Sequence, residues 1–309
     1  MAGAYAHITA VSMAGTDSVI ESMGFSQEAY LALLDYLPFT QLGSISPDYP
    51  YLAFFNHTKW ADFIHFGMET KQIIELGIEE VKRIENIDDK SKAFAWLCGF
   101  VGHIVTDVVI HPVVELKVGT YEENKAEHRT CEMHQDVYIY QTRFNYGIIA
   151  NTEHISYMAK VCSEDESREQ LDHVIAQLWD NILKKSNPSE YELNKPEIHT
   201  WHERFTKLVS IIEETQNLLL PLSRHMMTEN GLVYPTMEGV NRTYIENLEV
   251  PEGTMHYDEI FDKAVSKVRE VWKILDDAIF NDDSENLDYF ANWNLDTGRR
   301  IDNQLEYWA

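Results

Sequence analysis

Apolar residues recur with a helical period along most of the chain. Six segments repeat them at i, i+3 or i+4, and i+7, the spacing that places them on one face of an α-helix. These segments are residues 27–37, 70–85, 90–109, 168–185, 199–213 and 257–280. Alternating patterns typical of strands are confined to short stretches at residues 137–140 and 231–234. The pattern therefore predicts an all-α fold.

Two irregular segments interrupt the helical pattern. The first, residues 41–52 (QLGSISPDYPYL), follows Pro38 and contains Pro47 and Pro50, which predict a non-helical loop. The second, residues 186–196, could separate a core of about residues 1–185 from a helical extension of about residues 186–309. Because the later helices are also amphipathic and need a partner to pack on, we expect one all-α domain over residues 1–309.

The charge of the chain limits its partners. It has 51 acidic and 25 basic residues, a formal net charge of −26, and no basic run of five residues. This charge opposes binding to long nucleic acid or to anionic membrane, but not to a small phosphorylated molecule. The nearly uncharged segment 93–110 is interrupted by His103 and Asp107, which favours a buried helix over stable membrane insertion. The sequence does not indicate an oligomeric state.

Cysteine usage and the first residues indicate a compartment. Cys98, Cys131 and Cys162 are widely spaced and form no CxxC motif, which fits a reducing environment. The first 24 residues have neither a basic segment nor a continuous apolar run, so they do not resemble a signal peptide. We expect a cytoplasmic location.

The strongest chemical signal is the segment GHIVTDVVIH. His103, Asp107 and His111 are spaced i, i+4 and i+8, so on a helix they form one stripe. The residues between them are mostly apolar, and three ionisable groups on a buried helix are costly to desolvate unless something compensates them. A divalent cation would do so, and imidazole and carboxylate ligands suit zinc.

A second pair strengthens the metal hypothesis. His128 and Glu132 are again spaced i, i+4, and two His/carboxylate stripes on neighbouring helices can build a multi-metal site. Upstream candidates are His7, Asp48 and His65, with His57 as an alternative to His65. Each upstream residue alone is more often a turn, surface or helix residue than a ligand.

Together these motifs resemble the zinc-dependent phospholipase C family. The resemblance spans about residues 1–140 in order: an N-terminal His, Ser-x-x-Pro-Asp, Trp-x-Asp-x-x-His, His-x3-Asp-x3-His and His-x3-Glu. Relatives of that family include the N-terminal domain of glycosylphosphatidylinositol-specific phospholipase D and, more distantly, the S1/P1 nucleases. The resemblance implies a helical fold around a trinuclear zinc site.

The resemblance also implies a ligand set. One zinc would be held by Asp48, His65, His103 and Asp107. A second would be held by His111, His128 and Glu132. Asp107 would bridge to a third, which His7 would complete together with an N-terminal Trp in the secreted enzymes. Residues 1–5 here are Met-Ala-Gly-Ala-Tyr, with no Trp, so we expect two to three zinc ions.

The implied activity is phosphoester hydrolysis. Bound zinc lowers the pKa of water from 15.7 toward about 7 and can clamp phosphate oxygens. By resemblance, Asp48 would also serve as the general base that orients the attacking water. The function that we expect is a phospholipase C-type phosphodiesterase acting on a phospholipid or phosphorylated small molecule. The alternatives are a phosphatase or nuclease of the same superfamily, or a non-catalytic helical binding protein stabilised by zinc.

Overall fold

The computed structural model describes residues 2–52, 58–143, 153–215 and 234–308. The α-helices in these ranges are α1 (Ala4–Ala14), α2 (Asp17–Ser22), α3 (Gln27–Asp35), α4 (Leu37–Gly43), α5 (Lys59–Phe66), α6 (Thr70–Lys82), α7 (Ile87–Val118), α8 (Lys125–Thr142), α9 (Glu153–Val161), α10 (His173–Ser186), α11 (Pro188–Leu193), α12 (Ile198–Thr215) and α13 (Tyr257–Phe280). The predicted all-α class is confirmed.

Sheet structure among the described residues is limited to two short antiparallel hairpins. In one, β1 (Leu248–Val250) pairs with β2 (Gly253–Met255), and in the other, β3 (Trp293–Asn294) pairs with β4 (Arg299–Arg300). Residues 137–140, which have a strand-like pattern, are instead the fourth turn of α8 and part of its buried face. Packing against neighbouring helices decides between the two conformations for so short a pattern.

The central element is α7, a helix of 32 residues. It is long and apolar enough to cross a membrane, but its apolar stretch is entirely buried inside the structure. It packs closely on α4, where a Cβ added to Gly99 would lie 1.9 Å from the Thr40 carbonyl oxygen and one added to Gly43 would lie 2.1 Å from the Trp96 carbonyl oxygen. Only glycine allows the two backbones to approach this closely.

The proline-rich segment is helical, in contrast to the predicted loop. Pro38 occupies the first turn of α4, where a missing N–H costs no hydrogen bond. Residues Ser46–Leu52 form a 3₁₀-helix that includes Pro47 and Pro50. All seven of its residues are buried. This turn brings Asp48 inward toward α7.

The C-terminal residues pack directly on the helices before residue 186. The indole of Trp272 on α13 donates to the Cys98 carbonyl (2.7 Å), and that of Trp308 donates to the Val109 carbonyl (2.8 Å). The backbone N–H of Leu295 donates to the carbonyl of His65 (2.9 Å). Because of these bonds, the extension covers α7 and α5 at the positions of several predicted ligands. That residues 1–309 form a single domain stays a prediction.

A buried histidine on α12 gives the fold a pH dependence. His202 is fully buried, and its Nε2 lies 2.8 Å from the Ser163 hydroxyl, which itself donates to the Ala159 carbonyl. The hydroxyl therefore accepts from a neutral imidazole. Burial, together with the charge of His199, lowers the pKa of His202 to about 3.

We expect His202 to destabilise the protein in acid. Its folded pKa lies below its unfolded value of about 6.5, so the stability that the neutral form provides is present above pH 6.5 and is lost as the pH falls toward 3. Between pH 7 and pH 5 this loss is about 2 kcal/mol. Urea unfolding at both pH values should show a smaller pH effect for His202→Gln than for the wild-type chain. Equal pH effects would contradict the assignment.

Candidate metal centre

The centre is built on one stripe of α7. His103, Asp107 and His111 lie one turn apart on this helix, and their side chains are almost completely buried. Their neighbours along the helix, including Val105 and Val108, pack in the core. The apolar surroundings bury α7, and the i, i+4, i+8 spacing then places three ionisable groups side by side.

One group of donor atoms combines α7 with the two segments before it. Asp48 comes from the 3₁₀-helix, His65 from α5 and His103 from α7, and all three are fully buried. His65 Nε2 lies 3.4 Å from Asp48 Oδ1 and 3.4 Å from His103 Nε2. These three residues are far apart in sequence and meet only in the tertiary structure.

A second group adds the first helix. His7 on α1 joins His103 and Asp107, and the rings of the two histidines stack with their centroids 3.8 Å apart. Asp107 has a different set of neighbours at each oxygen. Its Oδ2 lies 3.3 Å from His103 Nε2, whereas its Oδ1 lies 3.3 Å from His7 Nε2, 3.3 Å from His111 Nε2 and 2.8 Å from the backbone nitrogen of Ala2. His103 therefore belongs to both groups, and Asp107 faces it through one oxygen and His7 and His111 through the other.

The donor set fits zinc. Ligand atoms arranged tetrahedrally at about 2.0–2.1 Å from a metal lie about 3.3–3.4 Å from one another, and the nitrogen–oxygen and nitrogen–nitrogen distances here are 3.3–3.4 Å. Several buried polar atoms also have no hydrogen-bond partner among the described residues: His7 Nδ1 and Nε2, both oxygens of Asp48, Asp107 Oδ2 and His111 Nε2. Cations held within these groups would compensate most of these atoms, which are otherwise costly to bury.

Electrostatics keep most of these groups in the form that binds metal. Burial lowers the pKa of His7, and it lowers that of His111 to about 4, so both imidazoles are neutral at pH 7. Burial opposes the charge on Asp107, but the surrounding histidines hold its pKa well below the usual value. The pKa of His103 is raised because Asp107 and Asp48 outweigh its burial. A cation would take the place of that proton, since ligands must be deprotonated.

Backbone carbonyls orient two of the histidines. Nδ1 of His65 lies 2.7 Å from the Ala61 carbonyl oxygen, and Nδ1 of His103 lies 2.8 Å from that of Ser44. Each carbonyl fixes Nδ1 as the protonated nitrogen and leaves the lone pair of Nε2 facing the group. The side chain of Asp62, an acidic residue near His65 on α5, accepts from the Tyr51 hydroxyl at 3.4 Å.

His128 and Glu132 lie on α8, buried, but outside the two compact groups. Nε2 of His128 is 2.6 Å from the Gly119 carbonyl oxygen, which leaves Nδ1 as the nitrogen that could bind metal. Burial lowers the pKa values of both His111 and His128. The charge of nearby Glu132 opposes this effect at both histidines but is smaller than it. The three residues are therefore neighbours, and their role as ligands of a second zinc stays a prediction.

The structure adds groups that the sequence pattern did not indicate. Ala2 contributes a backbone N–H to Asp107, and the charge of Asp296 from the C-terminal extension acts on His111 and His128. Ala2 has no side-chain chemistry to detect, and Asp296 is one acidic residue among many. His57, the alternative to His65, lies outside the described residues.

A third cluster of possible ligands has a structural explanation. Glu164, Asp172 and His173 lie close together near the start of α10, and two of the three are exposed. Asp172 accepts from Val174 N at the start of that helix and from Lys92 Nζ (2.8 Å), and Glu164 accepts from the backbone N–H of His173 (2.8 Å). These carboxylates cap the helix and pair with a lysine.

Comparison with known proteins agrees with this geometry. The family model described as zinc dependent phospholipase C matches residues 6–189, which include every predicted ligand. Searches of curated proteins and of solved structures found no match. The matched region covers more than half of the chain and contains the buried His/Asp groups on α1, α5 and α7. The chain belongs to the zinc-dependent phospholipase C family.

Proposed function

We propose that this chain is a phosphodiesterase of the phospholipase C type that uses two to three zinc ions. The observation that carries the proposal is the set of donor–donor distances of 3.3–3.4 Å among fully buried His and Asp side chains. The residues that would hold the metal are His7, Asp48, His65, His103, Asp107, His111, His128 and Glu132. At such a centre, zinc supplies positive charge for phosphate oxygens and lowers the pKa of water toward about 7.

The charge at the centre favours a phosphate group. Asp48, Asp107 and Glu132 contribute about −3, whereas two to three zinc ions contribute +4 to +6. The centre would then carry a net positive charge inside a chain whose formal charge is −26. The acidic remainder of the protein disfavours long polyanions, so a phospholipid or a small phosphodiester is the substrate class that we propose.

The general base in this proposal is Asp48. Its carboxylate is fully buried, Oδ1 lies 3.4 Å from His65 Nε2, and neither oxygen has a hydrogen-bond partner among the described residues. Oδ1 would help to hold the metal, and Oδ2 would accept a proton from the attacking water. The Ala61 carbonyl fixes the ring of His65 and leaves its Nε2 lone pair facing Asp48 Oδ1, so a cation between the two atoms would hold both.

Parallel assays of one preparation test the function. The protein, purified without chelator, is given phosphatidylcholine vesicles, a chromogenic phosphodiester, a chromogenic phosphomonoester and single-stranded DNA. We expect turnover of the two diesters, release of diacylglycerol from the lipid, and a loss of at least 100-fold in kcat/KM for Asp48→Asn. Asp35→Asn, which changes an exposed carboxylate on α3, is the matched control and should be fully active.

The other outcomes contradict the proposal in different ways. Turnover of the monoester alone would indicate a phosphatase, and turnover of DNA alone would indicate a nuclease. Bound zinc without any turnover would indicate a binding protein in which the metal stabilises the fold.

A further inference from the structure

The first helix lacks a cap of its own. At the start of α1, Gly3 is the N-cap residue, no side chain of that segment accepts from the helix amides, and the first turn contains no acidic residue. The first N–H groups of a helix have no partner within it, and leaving them buried without an acceptor is costly. His7, whose ring faces Asp107, is the fourth residue of this helix.

A carboxylate from another helix supplies the missing acceptor. Asp136 on α8 is fully buried, and its Oδ1 accepts from the backbone N–H of Ala6 at 2.8 Å. Its Oδ2 accepts from the Tyr234 hydroxyl at 2.9 Å. The guanidinium of Arg129, also buried, lies 5.4 Å from the centre of the Tyr234 ring. The carboxylate is therefore held on both sides.

Close packing fixes the distance between the two helices. A Cβ on Gly3 would lie 1.9 Å from Asp136 Oδ2, so only glycine lets this part of the chain lie against the carboxylate. At the preceding residue, Ala2 N donates to Asp107 Oδ1 at 2.8 Å. Two buried carboxylates thus hold residues 2–6, and one of them belongs to the metal centre.

We propose that Asp136 is a positioning residue for the metal centre: by capping α1 from α8, it places His7 against Asp107. The proposal rests on the zinc site described above but not on its catalytic activity. Groups that orient a metal ligand from outside typically affect metal affinity or activity by 10- to 100-fold. We expect an effect of that size on the metal that His7 binds.

The test is zinc affinity, measured by competition with a chromophoric chelator on folded protein. In Asp136→Ala, the amide of Ala6 and the hydroxyl of Tyr234 both lose their acceptor. We expect the weakest-bound zinc to lose 10- to 100-fold in affinity. Turnover at low zinc should fall in parallel and recover as zinc is added.

Asp276→Ala is the matched control. Asp276 is a fully buried carboxylate on α13 that accepts from the backbone N–H of Ser26 (3.0 Å) and from its hydroxyl (2.5 Å), at the N-cap of α3. It therefore holds the N-cap residue of one helix from another helix, as Asp136 holds the start of α1, but α3 carries no predicted ligand. This variant should lose stability while its zinc affinity stays at the wild-type value.

Equal zinc affinities in Asp136→Ala and the wild type would overturn the proposal, as would an equal loss in both alanine variants. If Asp136→Ala does not fold, Asp136→Asn replaces it, because it keeps the volume and places an amide nitrogen beside one of the two donors. A loss of at least threefold in zinc affinity then supports the proposal, and no loss overturns it. A wild-type chain that binds zinc but hydrolyses nothing would contradict the proposed function. The role of Asp136 could still be tested in that case, because the test measures zinc affinity.

Discussion

Replacing Asp107 with asparagine is expected to abolish zinc binding at the linked groups and to lower kcat/KM by about 10³-fold or more, which equals about 4 kcal/mol of transition-state stabilisation. The carboxylate faces His103 through one oxygen and His7 and His111 through the other. Asparagine is neutral and presents an NH₂ group at one of these positions, so it can link only one side. Elemental analysis and kinetics with a chromogenic phosphodiester measure the two effects.

A neighbouring substitution controls for damage to the helix. Thr106 is also buried on α7, and its hydroxyl donates only to the Gly102 carbonyl (2.7 Å) among the described residues. Thr106→Val should therefore keep wild-type zinc content. Full zinc content in Asp107→Asn would show that Asp107 is not a ligand.

Removing the metal is expected to have the second largest effect, on stability as well as on activity. Without a cation, both ring nitrogens of His7, both oxygens of Asp48 and Oδ2 of Asp107 have no hydrogen-bond partner among the described residues. At a free zinc concentration about 1,000 times Kd, binding stabilises the folded state by about 4 kcal/mol. For a chain of 309 residues we therefore expect a strong chelator to lower Tm by about 6 °C and to eliminate turnover. Differential scanning calorimetry before and after chelation measures the shift.

Two additions complete this experiment. The same chelator saturated with zinc should leave Tm unchanged, and zinc returned to the stripped protein should restore both Tm and turnover. A protein that contains zinc as purified and keeps its Tm after losing it would contradict a buried centre of this kind.

The helices could be predicted where burial has one clear period. The pattern at residues 257–280 predicts both the first and the last residue of α13 correctly. Apolar residues line one side of this helix and charged residues fill the other. The pattern at residues 90–109 predicts α7 but not its full extent, Ile87–Val118, since Asp88 and Asp89 begin the helix and Pro112 lies within its C-terminal part. Pro38, Pro47 and Pro50 predict a loop wrongly, because proline fits the first turn of a helix, as at Pro38, and a 3₁₀-helix, as at the other two positions.

The site could be predicted only in part for a related reason. The spacing of His103, Asp107 and His111 is local, so a helical period alone places them together. His65 and Asp48 come from other elements, and only the motifs shared with a family connected them to α7. The Ala6–Asp136 bond spans 130 residues and involves a backbone N–H, which leaves no pattern in the sequence.

The sequence by itself determined the helical class of this protein and the stripe of ligands on α7, because the period of the α-helix fixes both within a few turns. The tertiary structure alone decided which distant side chains meet that stripe. It also decided that backbone carbonyls orient His65 and His103, and that Asp136 holds the helix that carries His7. Those contacts depend on how closely the helices pack, and close packing depends on the whole chain rather than on any local pattern.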